Sequence, residues 1–311
     1  MAGQDQPSQG GSADGSIDPP GETQEFSASR GIARTPLFLA QHSERYARQS
    51  LIRKYEEAAN ANLIVVIDQI FLQNMALLEE LIFDCDADLP LHVLLASPGG
   101  DGETAIRMVR SMQSRCSELT ILVPDMAKSA ATLLCLGADR ILMGPAGDLG
   151  PVDPQFQIGG RNLASAKEIV AAIDEAERRV KESPSTFPLF SGLLADVNML
   201  MVEQARSALD RTEALVREAL GCCRSRTPEQ VETLTKVLKA PLIDEPTSHS
   251  AVIDAEAAAG FGLPVESIDP KSETWSQIWG LWTRYYAKGC WPAGPTAVYE
   301  GRRASQIFPP G

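Results

Sequence analysis

No stretch of this 311-residue chain approaches the ~20 consecutive apolar residues that a membrane-spanning helix needs. Its polar start, MAGQDQPSQGG, has neither the basic opening nor the apolar core of a secretory signal, so the expected location is the cytoplasm. Basic residues are in deficit: 28 Lys and Arg face 41 Asp and Glu, for a formal charge of -13. Affinity for a polyanionic backbone comes largely from Lys and Arg neutralising phosphates, so nucleic acid is not an expected partner. The six cysteines are scattered without a C-x-x-C, which indicates neither a disulfide framework nor a zinc site and leaves them as plain thiols. Histidine is scarcer still, with only His42, His92 and His249.

What is present is the profile of a globular protein, 44% hydrophobic and 22% charged. Residues 1 to about 34 are rich in Gly, Ser, Pro, Gln and Asp and poor in large apolar groups, so they read as a disordered tail. From SERYARQSLIRKYEEAAN the spacing turns helical. Four strands alternating with three helices follow: ANLIVVIDQI and QNMALLEELIFDCDA, LPLHVLLASPGG and ETAIRMVRSMQSRC, ELTILVPD and KSAATLLCLGA, then DRILMGP. Continuous β-branched runs separated by helices argue for parallel β-α-β units with right-handed crossovers.

After Pro154 helices dominate. LASAKEIVAAIDEAERRVKES, a sustained run from FSGLL to VREAL, and TPEQVETLTKVLK predict a helical layer on the sheet, the last capped by Thr227 with Pro228 at its first position. SHSAVIDAEAAAGFGLPV predicts a loop, a short helix and a closing strand. Trp275, Trp279 and Trp282 recur at helical spacing, which predicts a docked or subunit-contacting helix, followed by a frayed Pro/Gly-rich end. The expected division is a tail over 1–44, a domain over 45–270 and a Trp-rich helix and tail over 271–311.

Two loops carry possible chemistry. In ASPGGDGETAI a strand ends in Pro98-Gly99-Gly100 just before a helix, where glycine lets backbone amides approach a ligand closely. Neither G-x-G-x-x-G nor a P-loop G-K-[ST] is present, which leaves an oxyanion hole or a plain tight turn. In VPDMAKSAATLLCLGADR, Ser129 falls at the next strand-to-helix junction. In a parallel sheet both loops lie at the carboxyl edge, so Gly99, Gly100 and Ser129 can converge. Ser129 is then either an ordinary helix N-cap or a nucleophile beside amides that stabilise developing negative charge.

Taken together and in order, LLASPGGDGETAIRMVRSM, VPDMAKSAATLLCLGADRILMGPAGDLGPVDPQ and SHSAVIDAEAAAGFGLPV resemble the serine dehydrogenase proteinase family. That family is related to signal peptide peptidase A and the Clp proteolytic subunit in the ClpP/crotonase superfamily. The resemblance implies a ClpP/crotonase-like β-α spiral with an added helical layer. It makes Ser129 the nucleophile and the amides of Gly100 and Ala130, with Gly99, the oxyanion donors, and it implies a homo-oligomer.

The general base is less defined. The Clp subunit has a histidine where this chain reads GPVDPQ, so a triad in that order is not available. Lys167, near the start of a helix, resembles the dyad lysine of signal peptide peptidase A relatives; otherwise it is a solvated surface lysine. His249 falls near the acidic triad member of the Clp subunit, and otherwise caps the next helix. Lys128 adjoins the nucleophile with a diverging side chain, and Asp101 and Asp153 read as turn residues. The expected function is a serine peptidase acting on polypeptide without metal, nucleotide or other cofactor. A catalytically weak oligomeric scaffold of the same fold is the alternative, and acyl-thioester chemistry at the paired amides is a third.

Overall fold

The computed structural model describes residues 35–159, 162–245 and 251–309. The chain divides after Ser43. Of the first unit, the described residues are Thr35 and the opening of helix α1 (Pro36–Ala59). The tail expected over residues 1–34 lies outside the described residues.

In the second unit, β1 (Asn62–Ile67), α2 (Asn74–Ile82), β2 (Leu91–Ala96), α3 (Gly102–Gln113), β3 (Leu119–Val123), β4 (Met126–Ala127), α4 (Ala130–Leu136) and β5 (Arg140–Met143) follow the predicted alternation. β6 (Asp148–Leu149), the hairpin β7 (Gln155–Ile158) and β8 (Asn162–Ser165), then helices α5 (Ala166–Glu182), α6 (Phe187–Leu193), α7 (Met199–Cys222) and α8 (Pro228–Lys239) come next. The chain closes with α9 (Ala255–Gly260), β9 (Val265–Ser267), α10 (Glu273–Tyr286), β10 (Ala297–Gly301) and β11 (Ser305–Phe308).

The main sheet has the order β11-β10-β1-β2-β3-β5-β9. β1, β2, β3, β5 and β9 are parallel, and β10 and β11 extend the edge antiparallel. Every residue of β1, β2 and β3 is buried, as their unbroken apolar character requires of strands covered on both faces. The two-residue period then sorts side chains between two cores. Ile64, Val66, Val93 and Leu95 pack under α2, α3, α4, α7 and α8. Leu63, Val65, Ile67 and Leu94 pack against α1 and the α10 residues Ile278, Leu281 and Trp282.

Past the carboxyl ends of these strands runs a second, shorter rank of pairings. Ile70 bridges Gly100, Ser97 bridges Ala127, β4 pairs with β6, and Leu149 bridges Ile253. The units of β1, β2, β3 and β5 each contribute one strand to the large sheet and a short extension to this rank, and Ile253, ahead of α9 and β9, pairs with its last member. The chain therefore winds as a β-α spiral of mixed α/β structure and is not a flat doubly wound sheet.

Three local expectations change. The run read as one helix from FSGLL to VREAL is broken between α6 and α7, because Asn198 caps α7 by accepting from the Met201 amide at 2.9 Å. The segment LAS, read as helical, is strand β8, and α5 starts only after Ser165, whose side chain and Glu168 form a capping box. The C-terminal end is not frayed: β10 pairs with β1 and carries the buried Glu300, whose carboxylate accepts from Arg48, Tyr285 and Ser305. A lone Glu in a short apolar segment looks like a surface residue until its partners arrive from α1, α10 and β11.

Candidate active site

The Ser97–Ala127 bridge sets the site. The Ser97 amide donates to the Met126 carbonyl at 2.9 Å and the Lys128 amide to the Ser97 carbonyl at 3.0 Å, which brings the loops after β2 and β4 side by side. A Cβ placed on Gly99 would sit 2.7 Å from Ser129 Cβ and 2.8 Å from the Lys128 carbonyl oxygen, so only glycine permits this approach.

Ser129 adopts φ 51° and ψ -115°, the geometry of the first central residue of a type II′ turn, where glycine is the favoured occupant. A non-glycine residue held there costs about 1–3 kcal/mol that surrounding structure has to offset. Its side chain makes no capping bond to α4. Ser129 is half-buried, and its hydroxyl has no hydrogen-bond partner among the described residues. A serine there to cap a helix would bond an amide of the first turn; this one leaves its Oγ uncommitted on a sharp strand-to-helix turn.

The glycine loop faces it with defined polarity. The Ile70 amide donates to the Gly99 carbonyl and the Asp101 amide to the Ile70 carbonyl, both at 2.8 Å. In such a parallel bridge the flanking residues make the bonds, and the Gly100 N–H points away from Ile70. Neither Gly100 N nor Ala130 N donates to an acceptor among the described residues. The Gly99 amide does donate, to Ser97 Oγ at 3.1 Å.

Gly100, Ser129 and Ala130 line a cleft of about 270 Å³. Val152 and Asp153, and Ala208, Thr212 and Leu215 of α7, also line it. Asp153 is 5% exposed, and its Oδ1 accepts from Ser165 Oγ at 3.0 Å, tying the cleft wall to the start of α5. At the mouth, Arg211 holds Glu103 through two bonds of 2.8 and 3.1 Å. The α7 wall was not anticipated: a stripe at 208, 211, 212 and 215 says that a helix has a face, and only the fold says what the face covers.

The remaining candidates spread out. Lys167 lies in the first turn of α5, is not among the residues lining the cleft, and donates through Nζ to the Ile243 carbonyl. His249 lies outside the described residues. Lys128 points away from Ser129: Nζ donates to Asp148 Oδ2 at 2.5 Å and to the carbonyls of Leu149 at 3.1 Å and Ala251 at 2.9 Å. Burial raises the Asp148 carboxyl above its ordinary pKa, against the opposing pull of Lys128. Asp101 caps α3 by accepting from the Thr104 amide at 2.7 Å. His92 is buried in β2 with its Nδ1 2.9 Å from the Tyr55 hydroxyl, and His42 Nδ1 is 2.7 Å from the Phe38 carbonyl on its own helix. Among the described residues no group of three or more His, Cys, Asp or Glu is arranged to hold a metal ion, and no helix is long and apolar enough to cross a membrane.

A spiral α/β fold with an uncommitted serine on a strained turn, set against a glycine pair, defines a ClpP-like class of chain. The family of ClpP-like SDH-type serine proteinases matches residues 36–211, more than half of the sequence, and the chain belongs to that family. Two uncharacterized proteins of Methanocaldococcus jannaschii are similar to it. One is 27% identical over 184 residues, covering 59% of this chain and 56% of the relative; the other is 28% identical over 133 residues, covering 43% and 39%. The chain thus spans little more than half the length of the first and less than half of the second. Among solved structures, ClpP1 from Listeria monocytogenes aligns with a TM-score of 0.37 at 12% identity, over 72% of this chain and 97% of that one.

Proposed function

We propose that this chain is a serine endopeptidase that cleaves polypeptides through an acyl-enzyme on Ser129. The observation that carries the reading is the Ser129 hydroxyl, free of capping bonds on a φ 51° turn, beside two amides, of Gly100 and Ala130, without acceptors among the described residues. In the proposed reaction Ser129 Oγ attacks the peptide carbonyl carbon while its proton passes to a base. The oxyanion so formed accepts from the Gly100 and Ala130 amides, and Gly99 supplies the room for that approach. Collapse breaks the C–N bond as the base returns the proton to the leaving amine, and water then hydrolyses the serine ester. Lys167 and His249 are the candidate bases: Lys167 starts the helix whose cap, Ser165, holds the cleft residue Asp153. No metal or nucleotide takes part, and the proposed location is the cytoplasm.

The proposed assembly is a homo-oligomer. Phe187, Leu189 and Leu193 of α6, Met199 and Leu200 of α7, and Leu163 of β8 are 60–68% exposed. A second copy of the chain is the proposed partner of these exposed apolar side chains.

The test is intact-mass spectrometry after treatment with a fluorophosphonate probe, with peptide mapping and Ser129→Ala, Lys167→Ala and His249→Ala variants alongside. A single adduct on Ser129, lost in Ser129→Ala and in one base variant, is the expected result and names the base. A folded, assembled protein that stays unlabelled while a control hydrolase reacts overturns the peptidase reading in favour of the scaffold.

A further inference from the structure

We propose that Lys128 is a positioning residue, whose buried ammonium fixes the Ser129 turn against the segment that carries Val152 and Asp153 into the cleft. The inference rests on the reading of Ser129 as nucleophile. Lys128 is 6% exposed, and its ammonium has three N–H donors. All three are used, on Asp148 Oδ2, the Leu149 carbonyl and the Ala251 carbonyl. A side chain with its donors so committed has no role in proton transfer to Ser129. It does have one in geometry.

Its contacts divide between two bodies. The Lys128 main chain belongs to the catalytic turn: its amide donates to Ser97 at 3.0 Å, its carbonyl accepts from the Ala131 amide at 2.8 Å, and Ser129 follows directly. Its side chain packs on the segment that leads to Val152 and Asp153. A Cβ on Gly150 would lie 2.3 Å from Lys128 Cδ, so the aliphatic stem passes over Gly150. The head then grips β6, three and four residues before Val152 enters the cleft. A third hold on the same segment comes from Thr132, whose Oγ1 is 2.9 Å from the Gly150 carbonyl. Lys128 thereby couples the position of Ser129 to that of Val152 and Asp153.

Packing alone does not explain a lysine here. An apolar residue of similar volume would fill the space and often matches or exceeds a buried ion pair in stability. What the ammonium adds is direction, three bonds that fix one register between two segments, and the turn it fixes is strained and would relax if released. Misplacement of reacting groups by about 1 Å costs on the order of a hundredfold in rate.

Lys128→Met keeps the stem and removes the charge, but strands Asp148, whose Oδ1 already lacks a partner among the described residues. Lys128→Met/Asp148→Leu removes both charges and keeps the core apolar. The experiment measures, for the wild-type chain and both variants, the urea midpoint, the saturating labelling rate and the half-saturating concentration of the fluorophosphonate, and hydrogen exchange of a peptide spanning residues 126–133. The expected result is that the double variant recovers most of the stability lost in Lys128→Met, yet labels Ser129 about ten- to a hundredfold more slowly at nearly unchanged half-saturation. Its 126–133 peptide exchanges faster while strand peptides do not. A stable double variant with wild-type labelling and exchange overturns the proposal. If the wild-type chain itself is not labelled, the peptidase reading falls by itself, and exchange at 126–133 still decides whether Lys128 fixes the turn: faster exchange in the double variant supports it and unchanged exchange refutes it.

Discussion

Ser129→Gly should stabilise this protein relative to Ser129→Ala while abolishing the same reactivity. Both substitutions delete the hydroxyl, which has no partner among the described residues to lose. They differ in backbone. Alanine keeps a Cβ at φ 51° and therefore the strain of about 1–3 kcal/mol, whereas glycine adopts that conformation freely. Against this, glycine makes the unfolded chain more disordered, at a cost of about 0.5–1 kcal/mol. The difference left in favour of Ser129→Gly is about 1 kcal/mol, or roughly 2–4 °C in melting temperature for a domain of this size. Thermal and urea unfolding of the two variants, with matched m-values, measure it. If Ser129→Gly proves no more stable than Ser129→Ala, the turn is not strained, and the argument separating an uncommitted nucleophile from an ordinary cap loses its base.

Gly100→Ala should be far worse than most glycine substitutions, because its Cβ would lie 2.2 Å from the Ile70 carbonyl oxygen at φ 144°; a melting curve should show a loss above about 2 kcal/mol, with fluorophosphonate labelling lost. Glu300→Ala leaves Arg48 buried without its carboxylate and should cost about 3–5 kcal/mol in urea unfolding, whereas a loss under 1 kcal/mol would mean that water reaches the site. His92 provides a pH signature: burial, with a smaller contribution from Arg140, lowers its pKa from 6.5 to about 4. The folded chain therefore refuses a proton that the unfolded chain accepts. The stability this residue contributes is present above pH 6.5 and falls by up to about 3 kcal/mol as pH drops towards 4. His92→Gln should remove that part of the slope between pH 6.5 and 4, read as the difference between the two chains so that the carboxylates cancel. Leu189→Asp/Leu193→Asp should shift the sedimentation of the protein towards the monomer, and an unchanged profile would place any assembly contact elsewhere.

Much of this protein is determined by sequence alone, because its decisive signals are local. Unbroken short runs such as NLIVVI and LHVLLA, bounded by turn residues, read as strands covered on both faces, and Thr227 with Pro228 marks a helix start within one turn of chain. Alternation of strand and helix places the loops of Gly99 and Ser129 at one edge of a parallel sheet, so their meeting was legible before any coordinate. What the tertiary structure decided depends on groups distant in sequence. Serine favours both a cap and an elbow, and only the φ of 51° and the missing capping bond distinguish them. Which glycine amide is uncommitted follows from the Ile70 bridge and from Ser97 Oγ, not from the Pro-Gly-Gly motif. Lys128 looked like a neighbour of Ser129 with a diverging side chain until β6 and Ala251 supplied its three acceptors. The C-terminal strands escaped prediction for the same reason: a short segment bearing a Glu is a strand only once β1 offers an edge and Arg48 offers a charge.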